Sequence, residues 1–88
     1  MTYHGELVAQ KLGQSSAALL EAITLALKGF DRQENVVEAD RALALVRLYL
    51  RLALEKQMID DRQYAYGCRQ CDSLGRQLGG WLKSLQAV

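Results

Sequence analysis

Two cysteines three positions apart, Cys68 and Cys71, are the residues in this chain whose spacing first suggests chemistry. A C-x-x-C pair holds a metal or cycles a disulfide only when its surroundings complete the site. A structural zinc ion takes four protein ligands, and outside the carboxylates the sequence offers one more donor, His4, near the chain terminus. A thioredoxin-like pair follows a strand and opens a helix, whereas this one falls on the apolar face of a helical pattern. The pair therefore reads as two reduced core thiols, as the general preference of free cysteine for burial suggests. No metal and no cofactor are expected. His4 has no nucleophile or paired carboxylate placed near it and reads as a surface residue. There is neither a glycine loop leading into Lys-Ser or Lys-Thr nor a G-x-S-x-G elbow, so nothing points to an enzyme.

Basic residues give a more regular pattern. Arg62, Arg69, Arg76 and Lys83 recur every seven residues, with Gln63, Gln70 and Gln77 beside them. Seven residues are nearly two helical turns, so the four cations form one stripe that drifts by about 20° per step. Such a stripe can follow a phosphate backbone, with arginine able to bond it bidentately. The same stripe is also compatible with an ordinary solvated face, because Asp72 stands three residues from Arg69 and four from Arg76 and can pair with both. The pattern alone leaves both readings open.

Glycine marks the same segment. Gly75, Gly79 and Gly80 each cost about 1 kcal/mol relative to alanine in a helix interior, which calls for a compensating role in packing. Gly75 and Gly79 share a face, next to Trp81 and Leu82 as large groups able to fill a facing groove. The competing reading is a frayed helix end. Apolar periodicity continues to Leu85, past the glycines, and favours close helix packing within or between chains.

These residues need helices to position them. Val8, Leu12, Leu19, Ile23 and Leu27 recur at helical steps once Ser15 and Ser16 are admitted to the stripe, predicting a helix over residues 6–28. Gly29 is suited to the left-handed conformation that closes it, with Phe30 folding back onto its last turn. Asn35 and Glu38 have the form of a capping box, so a second helix is predicted over 36–56. Val36, Leu43, Val46, Leu50, Ala53 and Leu54 lie on one face of it, and Leu45, Leu48 and Leu52 on another. Only a thin polar stripe of Asp40, Arg47, Arg51 and Glu55 remains, so this helix requires cover on most of its circumference. Asp60 and Gln63 repeat the capping pattern and predict a third helix over 61–86, with Tyr64, Cys68, Cys71, Leu74, Leu78, Trp81, Leu82 and Leu85 inward.

The outcome is one all-α domain over residues 1–88, an antiparallel bundle of three helices. With 88 residues it lies near the size at which one core only just stabilises a monomer, so a homo-oligomer is expected. The absence of proline leaves only glycine and polar clusters to interrupt helices. The formal net charge of +1 gives no average argument for a nucleic-acid or membrane partner. The central apolar stretch is broken by Arg41, Arg47 and Arg51, and no signal segment is visible, so a cytoplasmic protein without a membrane partner is expected.

Three of these segments carry a resemblance. R-A-L-A-L-V-R-L-Y-L-R-L-A at residues 41–53, S-L-G-R-Q-L-G-G-W-L-K at 73–83 and K-L-G-Q-S-S-A-A-L-L-E at 11–21 are similar to a four-helix-bundle group. That group comprises the accessory variability determinant (Avd) proteins of diversity-generating retroelements and the proteins encoded in ribosomal-RNA intervening sequences. The resemblance implies a non-enzymatic bundle that assembles into a ring, typically a pentamer. It also implies binding to a reverse transcriptase and to RNA or an RNA–DNA hybrid, in support of mutagenic copying of a template RNA. Position by position, Arg47 and Arg51 match the helix arginines of the family, and Arg76 and Lys83 those of its glycine–tryptophan motif. Leu45, Leu48, Leu52, Gly75, Gly79, Gly80 and Trp81 are then the packing and assembly residues. Family members usually carry another helix before the one beginning here near Glu6, so three helices of a four-helix bundle are expected. They are also generally strongly basic, unlike this chain. An oligomeric protein adaptor without nucleic-acid binding is the alternative.

Overall fold

A computed structural model describes residues 4–86. It holds three helices, α1 (Gly5–Leu27), α2 (Arg32–Glu55) and α3 (Asp61–Gln86), and no strand among the described residues. The domain expected over 1–88 is thus seen from His4 to Gln86, and its two ends lie outside the described residues.

The polar punctuation explains most of these boundaries. At the end of α1, Gly29 takes φ 87°, and its N–H donates to the Ala26 carbonyl at 3.0 Å. The Phe30 N–H reaches back to the Leu25 carbonyl at 3.0 Å, which completes a Schellman motif. The backbone therefore turns as expected, but the Phe30 ring stays largely in solvent. At the start of α3 the capping box is present in both directions: Asp60 Oδ1 accepts from the Gln63 N–H at 2.7 Å, and Gln63 Oε1 accepts from the Asp60 N–H at 2.9 Å.

The expected start of α2 needs correction. The helix begins four residues before Val36, at Arg32, with Asp31 as its N-terminal cap residue in the left-handed region at φ 40°. Asn35 and Glu38 therefore lie inside the helix and form no capping box. Asn35 donates its backbone N–H to the Asp31 carbonyl at 2.9 Å and its side-chain amide to the Phe30 carbonyl at 2.7 Å. Arg32, Gln33 and Glu34 are good helix formers with nothing to stop the helix extending backwards through them. Glu38 instead faces Arg41 one turn on, at 3.7 Å.

Helix α2 is central: α1 and α3 each pack along it, and they do not approach one another closely through their backbones. Alanines make the α1–α2 contact intimate. Ala22 and Ala26 of α1 and Ala39 and Ala42 of α2 are all buried in the core with Leu19, Val36, Leu43 and Val46. Ser15 is buried in the α1 stripe as well, its hydroxyl donating to the Lys11 carbonyl at 2.9 Å. Such back-bonding satisfies a polar group inside an apolar stripe. From α3 only Cys71 and Leu78 are fully buried, while Leu74, Trp81, Leu82 and Leu85 are half-covered against the core.

The two apolar faces of α2 have different fates. The face with Val36, Ala39, Leu43 and Val46 is buried; Leu52 is half-buried, and Val37, Leu45 and Leu48 are exposed, Leu48 at 48%. On α1, Leu20 and Leu27 are exposed at 66% and 68%. One chain therefore leaves large aliphatic side chains on two helices in water. No helix among the described residues is long and apolar enough to cross a membrane.

Candidate nucleic-acid interface

Helix α3 is built to hold a row of cations. Its first turn is fixed by the Asp60–Gln63 box and carries Asp61 near the positive end of the helix dipole, while Lys83 sits in the last turn at the negative end. Arg62, Arg69, Arg76 and Lys83 are all exposed. Among the described residues, none of the four lies within ion-pair distance of a carboxylate.

Asp72 is the reason. It does not pair with Arg69 or Arg76 along its own helix. Arg47 reaches across from α2, its Nη1 donating to Asp72 Oδ1 at 2.8 Å and its Nη2 to the Cys71 carbonyl at 3.0 Å. Hydrogen bonding to Asp72, more than the Coulombic attraction of that same carboxylate, holds the Arg47 guanidinium charge above its ordinary stability. Asp72, the partner that the solvated-face reading offered to the stripe, is engaged with Arg47 instead.

The other arginine of the leucine-rich helix is also engaged. Arg51 Nε donates to Glu55 at 3.3 Å, and the Tyr64 phenol and then Glu55 raise the stability of its charged form. Both arginines remain partly accessible, but their nearest partners are internal. The α3 stripe and the α2 pair therefore differ in kind: the first presents uncompensated charge, whereas the second ties helices and turns together.

The glycines divide similarly. A β-carbon on Gly75 would stand 3.1 Å from Arg47 Nη2 and 3.6 Å from Leu43 Cδ2, so this glycine makes room for the arginine bridge. Gly79 and Gly80 have nothing within 4 Å of such an atom, so no other helix among the described residues packs closely against them. Sequence reasoning missed Gly67, where a β-carbon would meet Leu50 Cδ1 at 3.1 Å and Cδ2 at 3.3 Å. Its position eight residues before Gly75, inside the same strongly periodic helix, was the available signal. Trp81 lies half-buried beside Leu82 against the core.

The cysteine pair sits on the inner side of α3. Cys71 is buried and Cys68 half-buried, and neither is in a disulfide. Burial pushes the Cys71 thiol above its ordinary range, against the opposing pull of Arg47, which keeps it protonated and a poor nucleophile. No three His, Cys, Asp or Glu side chains cluster as a metal site among the described residues. His4 is exposed immediately before α1.

A model of the bAvd-like family matches residues 3–85 of the chain. The chain belongs to that family. The match spans all three helices, including the leucine–arginine segment of α2 and the glycine–tryptophan segment of α3. No curated protein and no solved structure gives a match. Within this bAvd-like chain, the exposed cations of α3 and the uncovered leucines of α1 and α2 are the features that the fold itself does not use.

Proposed function

We propose that this chain is a non-catalytic accessory protein of a diversity-generating retroelement, which binds RNA or an RNA–DNA hybrid together with a reverse transcriptase. The observation that carries the reading is the row Arg62, Arg69, Arg76 and Lys83, exposed and without a carboxylate partner among the described residues. Charge left uncompensated in a chain of net charge +1 is localised charge, which an average conceals. Family membership supports the accessory role. The exposed Leu45, Leu48, Leu20 and Leu27 support assembly into a homo-oligomer, for which the ring, typically a pentamer, is the family precedent. Repetition of the stripe around such a ring raises avidity without new contacts.

Fluorescence anisotropy with labelled single-stranded RNA and with an RNA–DNA hybrid across a salt series tests this reading. Phosphate contact makes log K fall linearly with log salt, with a slope of roughly 0.7 per phosphate neutralised on a single strand. Replacing Arg69 and Lys83 by glutamine is expected to lower both affinity and slope at unchanged oligomer mass. Wild-type protein that binds neither probe at low salt would leave the second reading, an oligomeric protein adaptor. The near-neutral net charge and the apolar outer face of α2 favour that alternative.

A further inference from the structure

One aromatic ring stands within the basic stripe. Tyr66 is 59% exposed, and the Arg69 guanidinium carbon lies 6.0 Å from the centre of its ring. Arg62 precedes Tyr66 by four residues and Arg69 follows it by three, so the ring sits between two cations of one helix face. At 1.5 Å rise per residue those cations are about 10.5 Å apart along the axis. Helical geometry also puts Tyr66 on the boundary between the arginine row and the glutamine row, with the exposed Gln70 one turn beyond it.

An exposed tyrosine costs apolar hydration and contributes little to the core of α3, whose buried residues are Cys71 and Leu78. Other aromatic groups among the described residues do not share this setting. Tyr49 and Tyr64 are half-buried, Trp81 packs against the core, and Phe30 is exposed at the α1–α2 turn beside Asp31, away from the stripe. Among the described residues, Tyr66 alone combines an open ring, a guanidinium 6.0 Å from its centre, and further cations without a carboxylate partner on the same face.

We infer that Tyr66 and Arg69 form a stacking subsite for an unpaired nucleobase, with Arg62 and Arg76 taking the phosphates on either side. The inference rests on the nucleic-acid reading above and deepens it by naming the substrate class, single-stranded RNA or DNA. A π-face accepts any base, a guanidinium adds its own planar surface and positive charge, and the bases of a duplex are already stacked and unavailable. Gln70 supplies an amide within reach of a base edge and no fixed sequence preference.

The experiment measures anisotropy with three labelled probes of equal length: oligo(rA), a blunt RNA duplex, and a strand of abasic ribose-phosphate units. Tyr66→Ala is expected to weaken oligo(rA) binding at least about fivefold, the low end of what one stacked base contributes. Its salt slope should not change, because no charge is removed. Duplex and abasic binding should be the same for wild type and Tyr66→Ala, and Tyr66→Phe should restore the oligo(rA) affinity. A circular-dichroism melt within a degree or two of wild type shows that the exposed substitution leaves the bundle folded. Equal loss on all three probes, or no loss on any while wild type binds, overturns the stacking subsite and leaves the phosphate reading standing. Failure of wild type to bind any probe removes both.

Discussion

A β-carbon on residue 75 would stand 3.1 Å from Arg47 Nη2, tight enough that the guanidinium would have to give by a few tenths of an ångström. A glycine that looks like a weakness of α3 is therefore the clearance for the one ion pair recorded between helices among the described residues. That pair is exposed on both sides, so the Coulombic part is worth little, and the bond to the Cys71 carbonyl adds direction more than strength.

A double-mutant cycle measures the relationship. Arg47→Ala in the wild-type background is expected to destabilise the fold by about 1 kcal/mol, the scale of one charge-assisted hydrogen bond after solvent screening. In a Gly75→Ala background the same substitution should cost less, because the added β-carbon already presses on the guanidinium and weakens the bridge. Gly75→Ala itself should be neutral or slightly stabilising, since the helix propensity gained, about 1 kcal/mol, offsets the weakening. Urea denaturation of the four proteins gives the coupling, and strictly additive effects would show that the arginine and the glycine do not share the space.

The second prediction concerns the end of α2. Gln57 adopts φ 60°, its N–H donating to the Leu54 carbonyl at 3.0 Å while the Met58 N–H reaches the Ala53 carbonyl at 2.9 Å. This is the same Schellman closure that Gly29 gives to α1, made by a residue with a β-carbon that disfavours it. Gln57→Gly should raise stability by roughly 1 kcal/mol, whereas Gly29→Gln should lower it by a similar amount. Thermal melts of the two variants should shift in opposite directions; a downward shift for Gln57→Gly would mean that its side chain contributes more than its strained backbone costs.

These helix ends show what was legible in the sequence and what was not. Closure at Gly29 and the Asp60–Gln63 box could be read because each is complete within six residues. The Asn35–Glu38 pattern misled because an identical spacing occurs inside helices, and only the left-handed Asp31 decided where α2 begins. Gln57 gave no signal, since its residue type does not announce positive φ. The cation stripe of α3 was legible from its period of seven. Its freedom from Asp72 was not, because the competitor Arg47 is 25 positions away, and cross-helix geometry outweighs the i, i+3 and i, i+4 rule. Of the two expected core thiols, Cys71 lies in the core because burial follows periodicity directly, whereas Cys68, three residues earlier and nearer the edge of the apolar face, is only half-buried.

The third prediction uses the buried thiol. Cys71 has its pKa raised mainly by burial, so folding favours the neutral thiol. A group whose folded pKa lies above its unfolded value contributes stability that is complete below the unfolded pKa, about 8.5 for a thiol, and is lost as pH rises through the folded value. Wild-type stability should therefore decline from about pH 8.5 upward more steeply than that of Cys71→Ser or Cys71→Ala. Neutral-pH stability of Cys71→Ala should be lower by roughly 1–3 kcal/mol for the lost packing. Under native conditions, alkylation should modify the half-buried Cys68 first. Rapid modification of Cys71 at pH 7 would contradict a buried, protonated thiol.

Gly79 and Gly80 lead to the fourth prediction because their cost has no return inside one chain. Each forgoes about 1 kcal/mol of helix stability relative to alanine, and neither has any group within 4 Å of where a β-carbon would lie. Gly75 and Gly67 compensate through Arg47 and Leu50, so emptiness is not general to the glycines of α3. If the homo-oligomer proposed above brings a neighbouring backbone onto this face, a side chain at 79 should obstruct it without harming the helix that carries it. Gly79→Leu is then expected to preserve or raise helicity by circular dichroism while light scattering shows the mass falling toward one chain. Gly13, equally open on α1, serves as the control, and Gly13→Ala should stabilise without changing mass. An unchanged mass for Gly79→Leu together with a higher melting temperature would place the assembly contact elsewhere, on the exposed leucines of α1 and α2.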